Sequence, residues 1–132
     1  MELWECRRYQ GTFRRCIDFA KRCGLPVSRR LLPVLYAVES KTAWGVTVKP
    51  DKGPIRIAIT TVLVDDWANK KGCLSTRRRD ALCSVLLHEV VHTCPGCFDH
   101  GKRWKKWVKV LNANGANIDP HPCGKHAPPY ER

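Results

Sequence analysis

The sequence predicts an α+β fold in which one helix, a three-stranded antiparallel sheet and two further helices follow one another along the chain. Apolar residues recur at helical spacing in residues 13–23 and again after residue 76, and they alternate with polar residues between 34 and 59. With 132 residues, 43% of them apolar, the chain is long enough to build a core. We therefore expect residues 1–132 to form a single domain.

The N-terminal helix is predicted over residues 13–23 and ends at Gly24. The residues at helical spacing that form its apolar face are Phe13, Cys16, Ile17 and Ala20. The apolar residues that alternate in the three predicted strands are Val34, Tyr36 and Val38, then Trp44, Val46 and Val48, then Ile55, Ile57 and Ile59. The sequence "KPDKGP" at 49–54 indicates a turn, and such short connections favour an antiparallel meander.

Two helices are predicted in the second half of the chain. The first begins at Ser75 or Thr76 and continues through residue 92, and its apolar stripe consists of Leu82, Leu86 and Val90. The second is a basic amphipathic helix that ends at Asn114 and Gly115, and its core face consists of Trp104, Trp107, Val108 and Leu111. The tail at 119–132, which contains four prolines, is expected to be irregular.

The charge of the chain points to a polyanionic partner. Its 24 Lys+Arg against 12 Asp+Glu give a net charge of +12, which favours nucleic acid over an acidic membrane surface. The alternative is that the charge serves only solubility. No apolar run is long enough to span a bilayer, and the start, "MELWECRRYQ", lacks the features of a secretory signal. We expect a soluble intracellular protein of the cytoplasm, nucleoid or nucleus, not a secreted one, with its eight cysteines as thiols or metal ligands rather than disulfides.

The segment "HEVVHTCPGCFDHGKRW" at 88–104 carries the pattern of a zinc site. His88 and His92 are four residues apart and therefore share a helix face, and Glu89 follows the first of them. After the turn-forming "CPGC", His100 supplies a third imidazole, and three protein ligands with one open position suit catalytic zinc. The alternatives are that Asp99 or Cys97 completes the site, or that the histidines bind no metal.

This pattern resembles that of the SprT-like, or Spartan, zinc metallopeptidases. The residues that carry the resemblance are His88, Glu89, His92, His100, Gly101 and Trp104, and it extends over about residues 34–121 through "AWGVTV", "IRIAI" and "VLNANGANI". The resemblance implies a zincin-like α+β core and an endopeptidase that acts near DNA or on DNA-associated proteins. It makes the three histidines the zinc ligands and Glu89 the general base.

The residues themselves agree with that chemistry but leave two questions open. A glutamate beside zinc-bound water can take a proton from the water and later deliver one to the leaving amine. The candidates for an oxyanion partner besides zinc are Tyr36, His121 and Tyr130, with no order among them. The alternative function is that of a zinc-stabilised nucleic-acid-binding module without proteolytic activity.

A second, structural zinc is a further hypothesis. Its ligands would be Cys94 and Cys97 of "CPGC" with Cys123 and His126 of "CGKH", a set that suits a closed site. The alternatives are that "CPGC" serves the turn alone and that Cys123 is a buried thiol.

Two basic clusters are candidate nucleic-acid contacts. They are Arg77, Arg78 and Arg79 at the start of the HExxH helix, and Lys102, Arg103, Lys105, Lys106 and Lys109 on the last helix. The alternative is a solvated basic surface. Trp44 and Trp67 could stack on bases, although packing in the sheet is the preferred interpretation for Trp44.

Overall fold

The computed structural model describes residues 2–40, 44–60 and 76–119, and for residues 76–80 it describes the backbone alone. The regular elements in these residues are β1 (Leu3–Glu5), α1 (Gln10–Arg22), β2 (Leu31–Val38), β3 (Gly45–Val48), β4 (Ile55–Thr60), α2 (Thr76–His92) and α3 (Lys102–Ala113). The protein is thus of the mixed α+β class, as the sequence predicts.

The sheet differs from the predicted three-stranded antiparallel meander. In the described part of the chain it has four strands in the order β1-β2-β4-β3, and β2 pairs with β4 in parallel. The hairpin of β3 and β4 is antiparallel as predicted, and residues 49–54 connect the two strands. The three predicted strands, now β2, β3 and β4, do alternate in direction along the chain. In a meander β3 would lie between β2 and β4, but here β4 lies between β2 and β3, so the predicted meander is wrong.

Burial explains this strand order. Every residue of β4 except Arg56 is buried, whereas every residue of β3 is only half-buried. A strand that is buried on both faces belongs in the interior of a sheet, and a short, partly exposed strand suits an edge. The short connection between β2 and β3 predicts that these two strands are neighbours in the sheet. Strand β4 lies next to β2 instead, because its apolar residues favour the interior position.

The fourth strand, β1, is absent from the sequence prediction. It has only three residues, of which Trp4 and Glu5 are exposed, so it carries no apolar alternation. It pairs antiparallel with β2 at the other edge of the sheet. The chain then enters α1, where the Gln10 side-chain amide accepts from the Leu35 backbone N–H at 2.8 Å and donates to the Leu35 carbonyl at 2.8 Å.

The helices agree closely with the prediction. The buried residues of α1 are Phe13, Cys16, Ile17 and Ala20, the same four that the spacing singles out. Leu82, Leu86 and Val90 of α2 are fully buried, as are Trp104, Val108 and Leu111 of α3, while Trp107 is half-buried against the core. Helix α1 packs against β2, and α2 contacts β3, β4 and both other helices. Within the described ranges, no helix combines the length and apolar character needed to cross a bilayer.

Candidate metal centre

The end of α2 and the start of α3 bring three histidines together. His88 and His92 project from the same face of α2, and His100 lies two residues before α3. Each pair of their Nε2 atoms is separated by 3.1 Å. Among the described residues, these three side chains form the group that could hold a metal ion.

The loop between the helices makes this convergence possible. Cys97 donates its backbone N–H to the Cys94 carbonyl at 3.1 Å, and Gly96 within this turn has a φ of 74°. A positive φ favours glycine because a Cβ is strained there. The Pro95-Gly96 turn therefore reverses the chain, as the sequence predicts, and returns His100 toward α2.

The surroundings of all three imidazoles favour the neutral form. Burial, followed by the nearby His92 and His100, lowers the pKa of His88 to about 3. Burial is also the main cause of the lowered pKa values of His92 and His100. A neutral imidazole keeps a lone pair on one ring nitrogen, which is the form that binds a metal.

Two neighbours contact the histidine rings. The Nδ1 atom of His92 lies 2.8 Å from the carbonyl oxygen of Cys97, so Nδ1 carries the hydrogen and Nε2 keeps its lone pair. The ring of Trp104, which is fully buried, lies beneath the site with its centroid 4.9 Å from that of His88, 5.8 Å from that of His92 and 4.8 Å from that of His100.

The geometry fits a small tetrahedral cation. Around zinc with bonds of about 2.0 to 2.1 Å, two nitrogen ligands at tetrahedral angles are about 3.3 to 3.4 Å apart. The observed 3.1 Å between Nε2 atoms is close to that spacing. Three mutually adjacent lone pairs also repel one another unless a hydrogen or a cation lies between them. The group is therefore compatible with zinc, although the donor set alone does not identify the metal.

Glu89 lies beside the three histidines and is buried, with 6% of its surface exposed. Its Oε2 atom is 3.7 Å from the His88 Nε2 atom. Burial raises the pKa of Glu89 to about 7, and a hydrogen bond from the Thr47 hydroxyl opposes that rise. The side chain can thus both accept and release a proton near neutral pH.

The alternative ligands from the sequence are not part of this group. The Asp99 carboxylate accepts a hydrogen bond from the Gly101 backbone N–H at 3.0 Å, where the chain enters α3. Cys97 contacts His92 through its carbonyl oxygen, and its thiol lies 3.6 Å from the Pro95 carbonyl oxygen. The potential metal-ligand group in the described ranges contains only the histidines.

The second zinc stays a prediction. Cys94 and Cys97 are both buried free thiols, and burial raises the pKa of both, that of Cys94 to about 12. Cys123 and His126 lie outside the described residues. The turn therefore contributes two buried thiols next to the histidines.

The oxyanion candidates have no demonstrated place in the site. Tyr36 lies on β2, and β4 separates that strand from β3, the strand whose Thr47 contacts Glu89. The Arg56 guanidinium lies over the Tyr36 ring, 5.5 Å from its centroid. His121 and Tyr130 are outside the described residues.

The candidate nucleic-acid contacts are described in part. The exposed residues of α3 include all five predicted contacts: Lys102, Arg103, Lys105, Lys106 and Lys109. Arg77, Arg78 and Arg79 lie in the first turns of α2, but their side chains are outside the described part of the structure, as is Trp67. Trp44 is half-buried and packs against the core.

Sequence reasoning missed two residues at the site, Gly45 and Thr47 of β3. Both lie against Glu89 although they are more than forty positions away in the sequence. Their spacing of two places both on the same face of a strand, but nothing in the sequence indicates which element that face meets.

Comparison with family models, with curated protein sequences and with solved structures finds no match to this chain.

Proposed function

We propose that this protein is a zinc-dependent endopeptidase of the SprT-like type, in which His88, His92 and His100 bind the zinc and Glu89 is the general base. The observation that carries the proposal is the buried carboxylate of Glu89, whose Oε2 lies 3.7 Å from the Nε2 of His88 at the point where the three Nε2 atoms converge. A structural metal site has no need of a buried acid at this place.

Each side chain has a distinct task in this proposal. Zinc, when bound, supplies a Lewis acid that makes water a nucleophile near neutral pH and polarises the scissile carbonyl. Glu89 accepts the proton of the attacking water and then delivers a proton to the leaving amine. His92 is kept in the metal-binding tautomer by its hydrogen bond to the Cys97 carbonyl. Trp104 excludes water from beneath the three rings.

The surroundings suit an extended polypeptide as the substrate. Among the described residues, β3 pairs only with β4 and is the edge strand of the sheet that lies next to Glu89. An extended peptide can bind such an edge through main-chain hydrogen bonds. Phe98 is 56% exposed and its ring centroid lies 6.3 Å from that of His92, so an apolar substrate side chain could pack on it. This mode of binding favours unfolded segments over compact domains.

The basic surface supports an intracellular site of action near DNA. The chain carries a net charge of +12, and the cationic side chains of α3 named above are all exposed on a helix that begins beside His100. Phosphate groups would be attracted to this surface, and the proposed substrates are proteins bound to the nucleic acid.

The same exposed cations favour a second candidate, a zinc-stabilised nucleic-acid-binding module without proteolytic activity. The two functions differ in what they require of Glu89. A module would gain from an uncharged residue at this buried position, whereas a peptidase depends on its carboxylate.

The deciding experiment compares the zinc-loaded wild type with Glu89→Gln on fluorescently labelled, unfolded casein, with and without double-stranded DNA. We expect wild-type cleavage, a loss of at least about a hundredfold in Glu89→Gln, and one equivalent of zinc retained at the histidines in both proteins. Cleavage of equal rate in the two proteins contradicts the assigned base. Zinc binding and DNA binding without cleavage in the wild type would support the module instead.

A further inference from the structure

Strand β3 and the Glu89 side chain are in direct contact through a hydroxyl group. The Oγ1 atom of Thr47 lies 2.9 Å from Oε1 of Glu89 and 3.1 Å from the Glu89 backbone carbonyl oxygen. The threonine hydroxyl has a single hydrogen, and both of these acceptors belong to the same residue. The contact therefore fixes Glu89 with respect to the sheet as well as to its own helix.

The two carboxylate oxygens of Glu89 consequently have different surroundings. Oε1 accepts from Thr47, while Oε2 lies 3.7 Å from the Nε2 atom of His88. Oε2 thus lies next to the metal centre, while Oε1 is bonded to the sheet. A glutamate side chain has several rotatable bonds, and a hydrogen bond to one oxygen selects among their conformations.

Gly45 contacts the same carboxylate from a position two residues earlier on the strand. A Cβ atom there would lie 3.0 Å from Cγ of Glu89, 3.2 Å from its Oε2 and 3.2 Å from Cγ1 of Val85. The glycines with positive φ do not include Gly45, so its backbone conformation does not require a glycine. A Cβ atom there would instead be tight against Glu89 and Val85, so these side chains would have to move by a few tenths of an ångström.

We infer that Thr47 and Gly45 are positioning residues for Glu89, which hold its carboxylate so that Oε2 faces the metal centre while Oε1 stays bonded to the sheet. This inference rests on the proposed function, since it assigns Oε2 as the oxygen that exchanges the proton. Preorganisation of a base in this way raises the rate of the chemical step rather than substrate affinity. A displacement of the carboxylate by about 1 Å is enough to cost roughly a hundredfold in rate.

The test uses full-length, zinc-loaded protein and labelled unfolded casein. Thr47→Val removes the hydroxyl at nearly constant volume, and Thr47→Ser keeps it. We expect Thr47→Val to lower kcat by about 10- to 100-fold with KM changed less than about twofold. Thr47→Ser should stay within about threefold of the wild type. The matched control is Thr12→Val in α1, which removes a hydroxyl that accepts a hydrogen bond from the Arg15 guanidinium, and it should leave kcat unchanged.

A second variant and a second measurement keep the inference testable if Thr47→Val folds poorly. Gly45→Ala should also lower kcat, because the added methyl group meets the Glu89 side chain. Crystal structures of the metal-free Thr47→Val and Gly45→Ala proteins should show the carboxylate moved from its wild-type position, and that of Thr47→Ser should not.

The outcomes separate this inference from the proposed function. Suppose that the wild type cleaves casein and Glu89→Gln does not. If Thr47→Val then has the same kcat as the wild type, the positioning role is overturned while the proposed function stands. Equal losses in Thr47→Val and Thr47→Ser also overturn it, because the hydroxyl would then not matter. If the wild type cleaves nothing, the proposed function fails, and the crystal structures decide the positioning role: an unmoved carboxylate in Thr47→Val overturns it.

Discussion

The Nδ1 atom of His92 lies 2.8 Å from the carbonyl oxygen of Cys97, so the turn after α2 fixes the imidazole of the last residue of that helix. The same turn returns the chain to His100. The "CPGC" segment therefore has a role in the metal centre that does not depend on its thiols. It supplies a backbone acceptor and a chain reversal.

Gly96→Ala should weaken zinc binding through this turn. Gly96 has a φ of 74°, and a Cβ there would lie 2.6 Å from Nη1 of Arg103, so both the backbone and the arginine must shift. Loss of a neighbour that orients a metal-binding histidine typically costs 10- to 100-fold in affinity, and we expect about tenfold. Competition with a zinc-binding dye measures the zinc affinity of both proteins.

Gly115→Ala is the matched control for that substitution. Gly115 has a φ of 106° in the turn after α3, and no atom of the described residues lies within 4 Å of a Cβ placed there. It therefore introduces similar backbone strain without disturbing the metal centre. Equal zinc affinities in Gly96→Ala and Gly115→Ala would show that the turn does not control the site.

His100→Ala should remove one zinc per chain. Without the third imidazole, His88 and His92 form an incomplete site for a metal that binds with three protein ligands. Elemental analysis of protein purified under reducing conditions measures the content, with Asp99→Ala as the control that should keep its zinc. An unchanged zinc content in His100→Ala would contradict the ligand assignment. If one zinc ion per chain remains in His100→Ala and is lost when Cys123→Ser is added to that variant, the second site is established.

DNA binding should depend steeply on salt. Each phosphate contact changes the slope of log affinity against log salt by about 0.9. We expect replacement of Lys105, Lys106 and Lys109 by Gln to reduce that slope by about two to three units in fluorescence anisotropy titrations. The control replaces Lys21 and Arg22, exposed at the end of α1, by Gln, and should change the slope less. Affinity independent of salt in the wild type would remove the basis for a nucleic-acid partner.

The strand order has a consequence for stability. Ile57 is fully buried on the interior strand β4, and Ile57→Ala should lower the free energy of unfolding by about 2 to 5 kcal/mol. Val46 is half-buried on the edge strand β3, so Val46→Ala should cost roughly 1 kcal/mol. Urea unfolding of the metal-free proteins measures both. Equal losses would contradict an interior position for β4.

Local patterns predict the helices and the grouping of the three histidines well, but not the sheet or the surroundings of Glu89. The face of α1 and the spacing of His88 and His92 follow from the helical repeat, and a proline and glycine mark the turn before His100. The neighbour of β2 depends instead on how burial is distributed among strands. The contact between Thr47 and Glu89 joins residues from two elements whose packing no local pattern encodes.

Trp104→Phe should lower the stability of the fold more than it lowers the zinc affinity of the metal centre. The Trp104 ring is fully buried, and its centroid lies within 6 Å of the centroids of all three histidine rings. It therefore belongs both to the core and to the wall of the metal centre. Its indole N–H lies 3.5 Å from the His88 carbonyl oxygen, at the limit of a hydrogen bond, so its loss matters little. The smaller ring leaves a cavity, and we expect a loss of about 1 to 3 kcal/mol in the metal-free protein.

Zinc affinity should fall far less in Trp104→Phe than in His100→Ala, because phenylalanine still offers an aromatic face to the imidazoles and the three ligands are unchanged. Urea unfolding with and without zinc measures both effects in the same samples, since the stability that zinc adds rises with the logarithm of its affinity for the folded state. If Trp104→Phe abolishes the zinc-dependent gain in stability while the metal-free protein stays folded, the indole itself organises the three histidines. That result would make Trp104 a positioning residue of the metal centre, in addition to its place in the core.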